Sequence, residues 1–429
     1  MNQEQTTLMS LSQRDQKHIW HPLTQHHNAP QPIGIVKAKG VHFWDEAGNS
    51  YIDGIASWYT AMYGHCNDHI IAAVSEQMRQ LDLVVFTGFT HEPAVQLSEK
   101  LMAILPSNQQ KIFFNDNGST AVEAGIKMAL QYHFNKGQKR DTLIAFENGF
   151  HGDTFGAMSA SGLSVYNGPF EDFFLKVERI PTPQEDNLDS VVSQLKRLIS
   201  ENECAAFVYE PLVQGAAGMK FHLAEGLERI LRVCQEHDIL CVADEVMTGF
   251  GKTGKHFASL HLETLPDIIC LSKALTAGMA PMSITSCSQK VFDAFLDEEI
   301  AKGFFHAHTY SAHPLGCAAA IAGIDLLTSE TFQKDILRIT QSHKEFIEEV
   351  KTHTKVKNAR SLGVILAIDL ALEMDRYGSL RNEMYQYFMN QGIFLRPLGN
   401  TVYVLPPYVI SNSELEKIYD AILGMLEAI

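Results

Sequence analysis

The chain has 429 residues, 45% of them hydrophobic and 20% charged, with 50 acidic against 34 basic side chains. This is the composition of a globular protein large enough for two domains, or for one large α/β domain with appendages. A formal charge of −16 argues against nucleic acid or an acidic membrane as partner, since both require a basic face, and no run of roughly 18 apolar residues reads as a membrane span.

The opening stretch "MNQEQTTLMSLSQRDQKHIW" is polar and carries acids, so it reads as neither a secretory signal nor a transit peptide. A cytoplasmic location is expected. The seven cysteines, dispersed and without a CxxC pair, read as free buried thiols in a reducing compartment. Residues 1–60 are expected to join a smaller domain, with a large domain over 61–327.

From Gln109 onward, short β-rich runs alternate with helical patterns. "KIFF" (111–114) leads through "NDNGST" into a helix whose apolar face is Val122, Ile126, Ala129, Leu130 and Phe134, ended by Gly137. "TLIAF" (142–146) runs into the loop "ENGFHGD". "AAFVYE" (205–210), "ILCVADE" (239–245), "DIICLSK" (267–273) and "MSITSCS" (282–288) follow, with helices near 189–201 and 225–237. This rhythm predicts an α/β fold with a mostly parallel sheet, its apolar strands covered on both faces. After "LGCAAAIAGIDLL" the texture changes: a long polar helix near 331–353 precedes "GVILAIDL", "GIFLRP", "TVYVLPP" and a final helix. The spacing predicts a smaller α+β domain over 328–429. In "FHAHTYSAH", His306 and His308 would need a distant third ligand to hold zinc, and no metal is expected.

Ligands of a doubly wound sheet bind beyond the carboxyl ends of its strands. Asp244 and Lys273 both end strands, and Gly118 and Ser119 open a helix on the same rim. Such a helix start offers N–H groups, a hydroxyl and a favourable dipole to an anion. Taken singly, a strand-end lysine is usually a snorkelling surface residue and an aspartate a turn acid. Together, an amine, a carboxylate and an anion cradle are what pyridoxal phosphate requires. Partial desolvation would keep the lysine a free amine, which explains its place at the end of a buried strand.

At this point the chain resembles the class III (ω-type) aminotransferases of PLP fold type I. "CVADEVMTGFGKTG" followed by "LSKALTAG" is similar to that family's signature, with Asp244 at the pyridine position and Lys273 at the covalent one. "NGFHGDTFGAMS" resembles the loop whose aromatic residue stacks on the cofactor ring, here Phe150. "HTYSAHPLGCAAA" resembles the segment that lends a phosphate-binding threonine, here Thr309, to the neighbouring subunit. The resemblance implies a large domain with a seven-stranded sheet, a small domain drawn from both chain ends, and a homodimer with composite sites. It also implies cofactor contacts from Glu210, Val246 and His308, and substrate contacts from Ala307 and Asp153.

"HIWHPLTQH", "GIASWYTAMYGH", "EPLVQGAAGM" and "LRPLGNTVYVLPPY" resemble the branch that serves biotin synthesis, as does Met247 where many ω-aminotransferases carry glutamine. The acceptor of that branch is an aliphatic chain ending in a carboxylate. Arg396 is the candidate to hold it, and Trp58 and Tyr59 would form an apolar wall. Leu23 and Phe150 stand where members of the family carry tyrosine, and Lys252 where arginine is commoner. The expected donor is S-adenosylmethionine, since aromatic rings at the entrance favour a sulfonium cation. Lysine, or a different ω-amine substrate, is the alternative.

Overall fold

In the central strands, successive side chains enter two different cores, as a sheet buried on both faces requires. Ala206 and Val208, Val242, and Ile268 and Cys270 face one cluster, joined by Val122, Ile126 and Ala129 of the helix Gly118–Asn135. Phe207, Tyr209, Cys241, Ala243, Ile269 and Leu271 face the other, against Leu227, Ile230 and Leu231 of the helix Ala224–Glu236. The computed structural model describes residues 9–372 and 378–428; residues 1–8, part of the polar opening stretch, lie outside them.

The seven-stranded sheet runs Gln109–Asn115, Ser283–Ser288, Ile268–Leu271, Leu240–Asp244, Cys204–Tyr209, Thr142–Phe146, Val177–Ile180. Ser283–Ser288 is antiparallel to both neighbours, and the pairs from Ile268–Leu271 to Val177–Ile180 are parallel. Six of these strands follow the apolar runs read in the sequence. The edge strand Val177–Ile180 has only one apolar pair in "VERI" and gave no such run.

Beyond the apolar helix Pro314–Thr328 lies the polar helix Glu330–Val350. A three-stranded antiparallel sheet follows, ordered Val356–Leu362, Ile365–Leu370, Thr401–Val404. The short strand Ile393–Phe394 lies outside it and pairs with Ser50–Asp53, in register Ile393↔Ile52 and Phe394↔Asp53, completing a sheet whose other strands are Ile35–Lys39 and His42–Asp45. The N-terminal and C-terminal segments thus share one sheet. No single described helix is long and apolar enough to cross a membrane. All seven cysteines are free, six of them buried; Cys66 is exposed, because it sits in the turn "GHCND" instead of an apolar run.

The helix Gly118–Asn135 lies close on the sheet because Gly125 faces it: a Cβ there would stand 3.2 Å from both Cys270 Sγ and Val242 Cγ1. Gly125→Val is therefore expected to destabilise the protein by about 1–3 kcal/mol through overpacking. The urea midpoint checks this, and weaker cofactor retention should accompany it, because the same helix presents Gly118 and Ser119.

Candidate active site

Parallel pairing of Asp244 with Cys270 brings Asp244 and Lys273 to the same rim. Lys273 has φ +50°, in the left-handed region. Its Nζ stands 5.1 Å from the centre of the Tyr59 ring, and among the described residues no hydrogen-bond acceptor reaches it. Burial pulls this amine below its ordinary range, against the opposing attraction of Asp244 and Glu210.

Asp244 is buried, and both its oxygens are occupied: Oδ1 accepts from the Val246 N–H at 3.0 Å, and Oδ2 from His151 Nδ1 at 2.8 Å. Burial pulls the His151 ring down, but the Asp244 hydrogen bond and charge, with Glu210, outweigh it and raise the ring above its usual value. Its other nitrogen, Nε2, is buried with no partner. Glu210 accepts from the Phe150 N–H at 3.0 Å and from the Gly215 N–H at 2.9 Å. Burial pushes this carboxyl up to about 7, helped by Asp244, against the pull of His151 and the two N–H donors. Glu210 thereby anchors the loop from which Phe150, 45% exposed, stands into the open side of the site.

Asn117 caps the helix that Gly118 begins, its side chain accepting from the Thr120 N–H at 3.1 Å. The N–H groups of Gly118 and Ser119 find no acceptor among the described residues. A Cβ on Gly118 would meet Val246 Cγ1 at 2.9 Å, and one on Gly152 would collide with Ser119, so the glycines keep this helix start open and close-packed. Ser119 Oγ accepts from the Asp153 N–H at 3.1 Å, and the Asp153 side chain is exposed.

Ala56, Ser57, Trp58 and Tyr59 all have positive φ, between 46° and 73°. Left-handed backbone costs a non-glycine residue roughly 1–2 kcal/mol, so four in succession need firm support. The turn presents Trp58 beneath the Arg396 guanidinium, 5.2 Å from its ring. Arg396 has no acidic partner among the described residues. Tyr59 donates to Tyr403 at 3.1 Å.

Ala307 and Thr309 are exposed on a loop fastened by Ser311, which donates to the Phe114 carbonyl at 3.2 Å, and by His308, 3.4 Å from Asp116. No hydrogen bond joins Thr309 to Gly118 or Ser119 within the chain. His306 and His308 touch through their Nε2 atoms at 3.1 Å, and no group of three metal-binding side chains occurs among the described residues. Leu23 is exposed on the N-terminal stretch, and no hydrogen bond ties it to the site. Lys252 is fully buried, its Nζ donating to the Gly249 carbonyl at 2.9 Å.

The structure thus brings together Lys273, Asp244, Glu210, Phe150, Val246, Gly118 and Ser119 on one rim, with Trp58, Tyr59 and Arg396 facing them. It adds His151, Tyr403 and the Asp53–Ser57–His65 contacts described below. His151 stands beside Phe150 in the motif already quoted, yet nothing in the sequence shows that its ring turns inward to Asp244.

Residues 24–426 match the aminotransferase class-III family. The chain is 40% identical to adenosylmethionine-8-amino-7-oxononanoate aminotransferase of Synechococcus elongatus, over 96% of this chain and 99% of that protein. It is 32% identical to the enzyme of the same name from Staphylococcus aureus, over 95% of each. The crystal structure of adenosylmethionine-8-amino-7-oxononanoate aminotransferase from Methanocaldococcus jannaschii superposes with a TM-score of 0.91 at 30% identity, covering 97% of this chain and 98% of that one. An amine transaminase from an uncultivated Pseudomonas species, solved with PLP bound, gives 0.90 at 27% identity, covering 96% and 98%. The chain belongs to the class-III aminotransferases. It is a pyridoxal-phosphate-dependent transaminase.

The residues present fit that cofactor: an unpartnered, desolvated amine faces a buried carboxylate beside a helix start with free N–H groups. When bound, the cofactor supplies an electron-withdrawing pyridine ring.

With the cofactor removed, Glu210 makes stability depend on pH. Its raised pKa means that the folded protein holds this proton more tightly than the unfolded chain. The resulting stability is complete below about pH 4.5 and is lost as pH rises through about 7. A loss on the order of 3 kcal/mol is expected across that interval. Urea midpoints of the apoprotein should show it, and Glu210→Gln should flatten the slope.

Proposed function

We propose that the chain transfers an amino group from S-adenosylmethionine to 8-amino-7-oxononanoate, giving 7,8-diaminononanoate for biotin synthesis, as a cytoplasmic homodimer. The carrying observation is Arg396, a guanidinium without an acidic partner among the described residues, held over Trp58 while Lys273 lies over the adjoining Tyr59. The acceptor named for the relatives is an aliphatic chain with a carboxylate at one end and a ketone near the other. A site for it needs a cation, an apolar wall and an amine in line, and these residues supply them.

Each side chain then has a task. Lys273 Nζ, its hold on a proton weakened by burial, would take the proton from the carbon bearing the donor's amine and hand it on within that half-reaction, then deliver one to the acceptor carbon in the second. Asp244 would hold a proton on the cofactor's ring nitrogen, and His151, hydrogen-bonded to Asp244 Oδ2, keeps that carboxylate oriented. Phe150, positioned by the Glu210 bond to its N–H, would pack against the bound ring. Gly118 and Ser119 bind the phosphate, with Val246 packed beneath the first of them. The exposed Thr309 completes that cradle in a second copy of the chain, on a loop held by His308.

Donor and acceptor enter between Trp58, Tyr59, Ala307, Asp153 and the N-terminal stretch carrying Leu23. The name shared by the relatives and the exposed faces of Trp58 and Phe150 both favour S-adenosylmethionine over lysine. Adding each donor alone and following cofactor absorbance decides between them; bleaching by lysine and not by S-adenosylmethionine would reverse the assignment. Adding the acceptor and detecting the diamine tests the reaction itself.

Arg396→Met is expected to raise the acceptor KM roughly 10- to 100-fold, the value of a lost charge-assisted pair. The rate with donor alone should change far less. Lys273→Ala should abolish activity and the borohydride-reducible attachment of the cofactor. Mixing it with Thr309→Trp, itself inactive, should restore activity, because one site of the mixed dimer is wholly wild type. Mixed dimers without activity would put Thr309 outside a shared site.

A further inference from the structure

Asp53 is fully buried at the end of the strand Ser50–Asp53, where Phe394 pairs with it two residues before Arg396. Its Oδ1 accepts from the Ile55 N–H at 3.2 Å. Its Oδ2 accepts from Ser57 Oγ at 2.8 Å and from His65 Nε2 at 2.8 Å. All three donors belong to the segment that makes the left-handed turn or returns from it. Gly54 joins the turn to the other sheet strand: its N–H donates to the Phe394 carbonyl at 3.1 Å, and a Cβ on it would press into Leu395 at 2.5 Å. On the far side, Thr60 Oγ1 donates to the Ser57 carbonyl at 2.9 Å and stands against Gly278, in the loop that follows Lys273.

The turn therefore touches the segments that carry Arg396 and Lys273. Two adjacent residues on it seat the two basic side chains of the site, Trp58 under Arg396 and Tyr59 under Lys273. Any relaxation of the left-handed backbone would move one ring relative to the other, because successive side chains diverge as φ returns to negative values. A strained segment persists only where its surroundings over-determine it, and the Asp53 carboxylate is the common anchor of those surroundings.

We propose that Asp53, through Ser57 and His65, is a positioning clamp that fixes the separation of Arg396 from Lys273 and so sets the chain length of acceptor the enzyme accepts. The clamp rests on the assignment of Arg396 to the acceptor carboxylate. Ser57 and His65 touch no substrate in this account; they act through the rings of Trp58 and Tyr59.

The test uses holoenzyme and straight-chain aliphatic monocarboxylates of graded length as inhibitors of the overall reaction. Wild type should prefer the best-fitting chain over one two methylenes shorter by roughly 10-fold, the value of two buried CH₂ groups. Ser57→Ala removes the hydroxyl and keeps the backbone strain, so this ratio should fall towards unity. Ser57→Gly also removes the hydroxyl, but glycine adopts positive φ freely, so most of the preference should return. Asp53→Asn should flatten the profile as Ser57→Ala does, and if it fails to fold the Ser57 pair decides. A ratio of inhibition constants is independent of the fraction of enzyme folded, so a merely structural role would lower the melting temperature and leave it unmoved. An unaltered profile in Ser57→Ala, or equal flattening in Ser57→Gly, overturns the clamp. A wild type that ranks the carboxylates sharply yet fails to aminate 8-amino-7-oxononanoate rejects the substrate assignment and leaves the clamp standing.

Discussion

An amine taken out of water without a hydrogen-bond acceptor is the constraint on which the rest of this site depends. Lys273 could lie charged and solvated on a surface at little cost. At the rim of the seven-stranded sheet it is instead partly buried over the Tyr59 ring, where desolvation favours the neutral form. The carboxylates of Asp244 and Glu210 pull the other way. Asp244 meanwhile is held by Val246 and His151 and makes no ion pair with Lys273, whose hold on a proton burial weakens. Both placements follow from the parallel register that ends Leu240–Asp244 beside Ile268–Leu271.

Lys252 bears on the same balance. It is fully buried, and its amine is drawn well below its ordinary range by burial and by the proximity of Lys273, with Glu245 opposing. An arginine at this position would remain charged under any such pressure. Lysine can meet it by giving up its proton while its Nζ keeps the Gly249 carbonyl as partner. Lysine here thus places beside Lys273 a proton held more loosely than arginine's would be. Glu245 confines its own charge elsewhere, accepting from Thr248 Oγ1, the Ala258 N–H and the Ser259 N–H.

The chemistry of the rim was legible in the sequence because it follows from strand ends. Apolar runs locate the strands, and parallel pairing carries Asp244, Lys273 and the Gly118 helix start to one side. The strand Val356–Leu362 and the helix Ser379–Asn390 lacked a comparable pattern: their residues are largely half-buried or exposed, so no clean apolar period marks them. His151 stayed hidden for a different reason. A histidine in a loop has no periodicity, and only the tertiary fold turns its ring to Asp244. The left-handed run at Ala56–Tyr59 was the least legible feature, since "ASWY" contains no glycine to announce positive φ.

That omission has a physical meaning. Glycine would make the same turn without strain, but it would carry no ring, and the turn has to carry two. Trp58 and Tyr59 supply surfaces for the Arg396 guanidinium and the Lys273 amine, so the strain is retained and offset by the buried Asp53 carboxylate and its donors. Two sheets thereby divide the work. On the proposed roles, the seven-stranded sheet fixes where a proton is moved, while the sheet shared by the two ends of the chain fixes how far away a carboxylate is held. The chain crosses between them at Gly54 and at the contact of Thr60 with Gly278. On the proposed roles, change at the Arg396 end alters which chain is accepted while the register that places Asp244 beside Ile268–Leu271 stays in place.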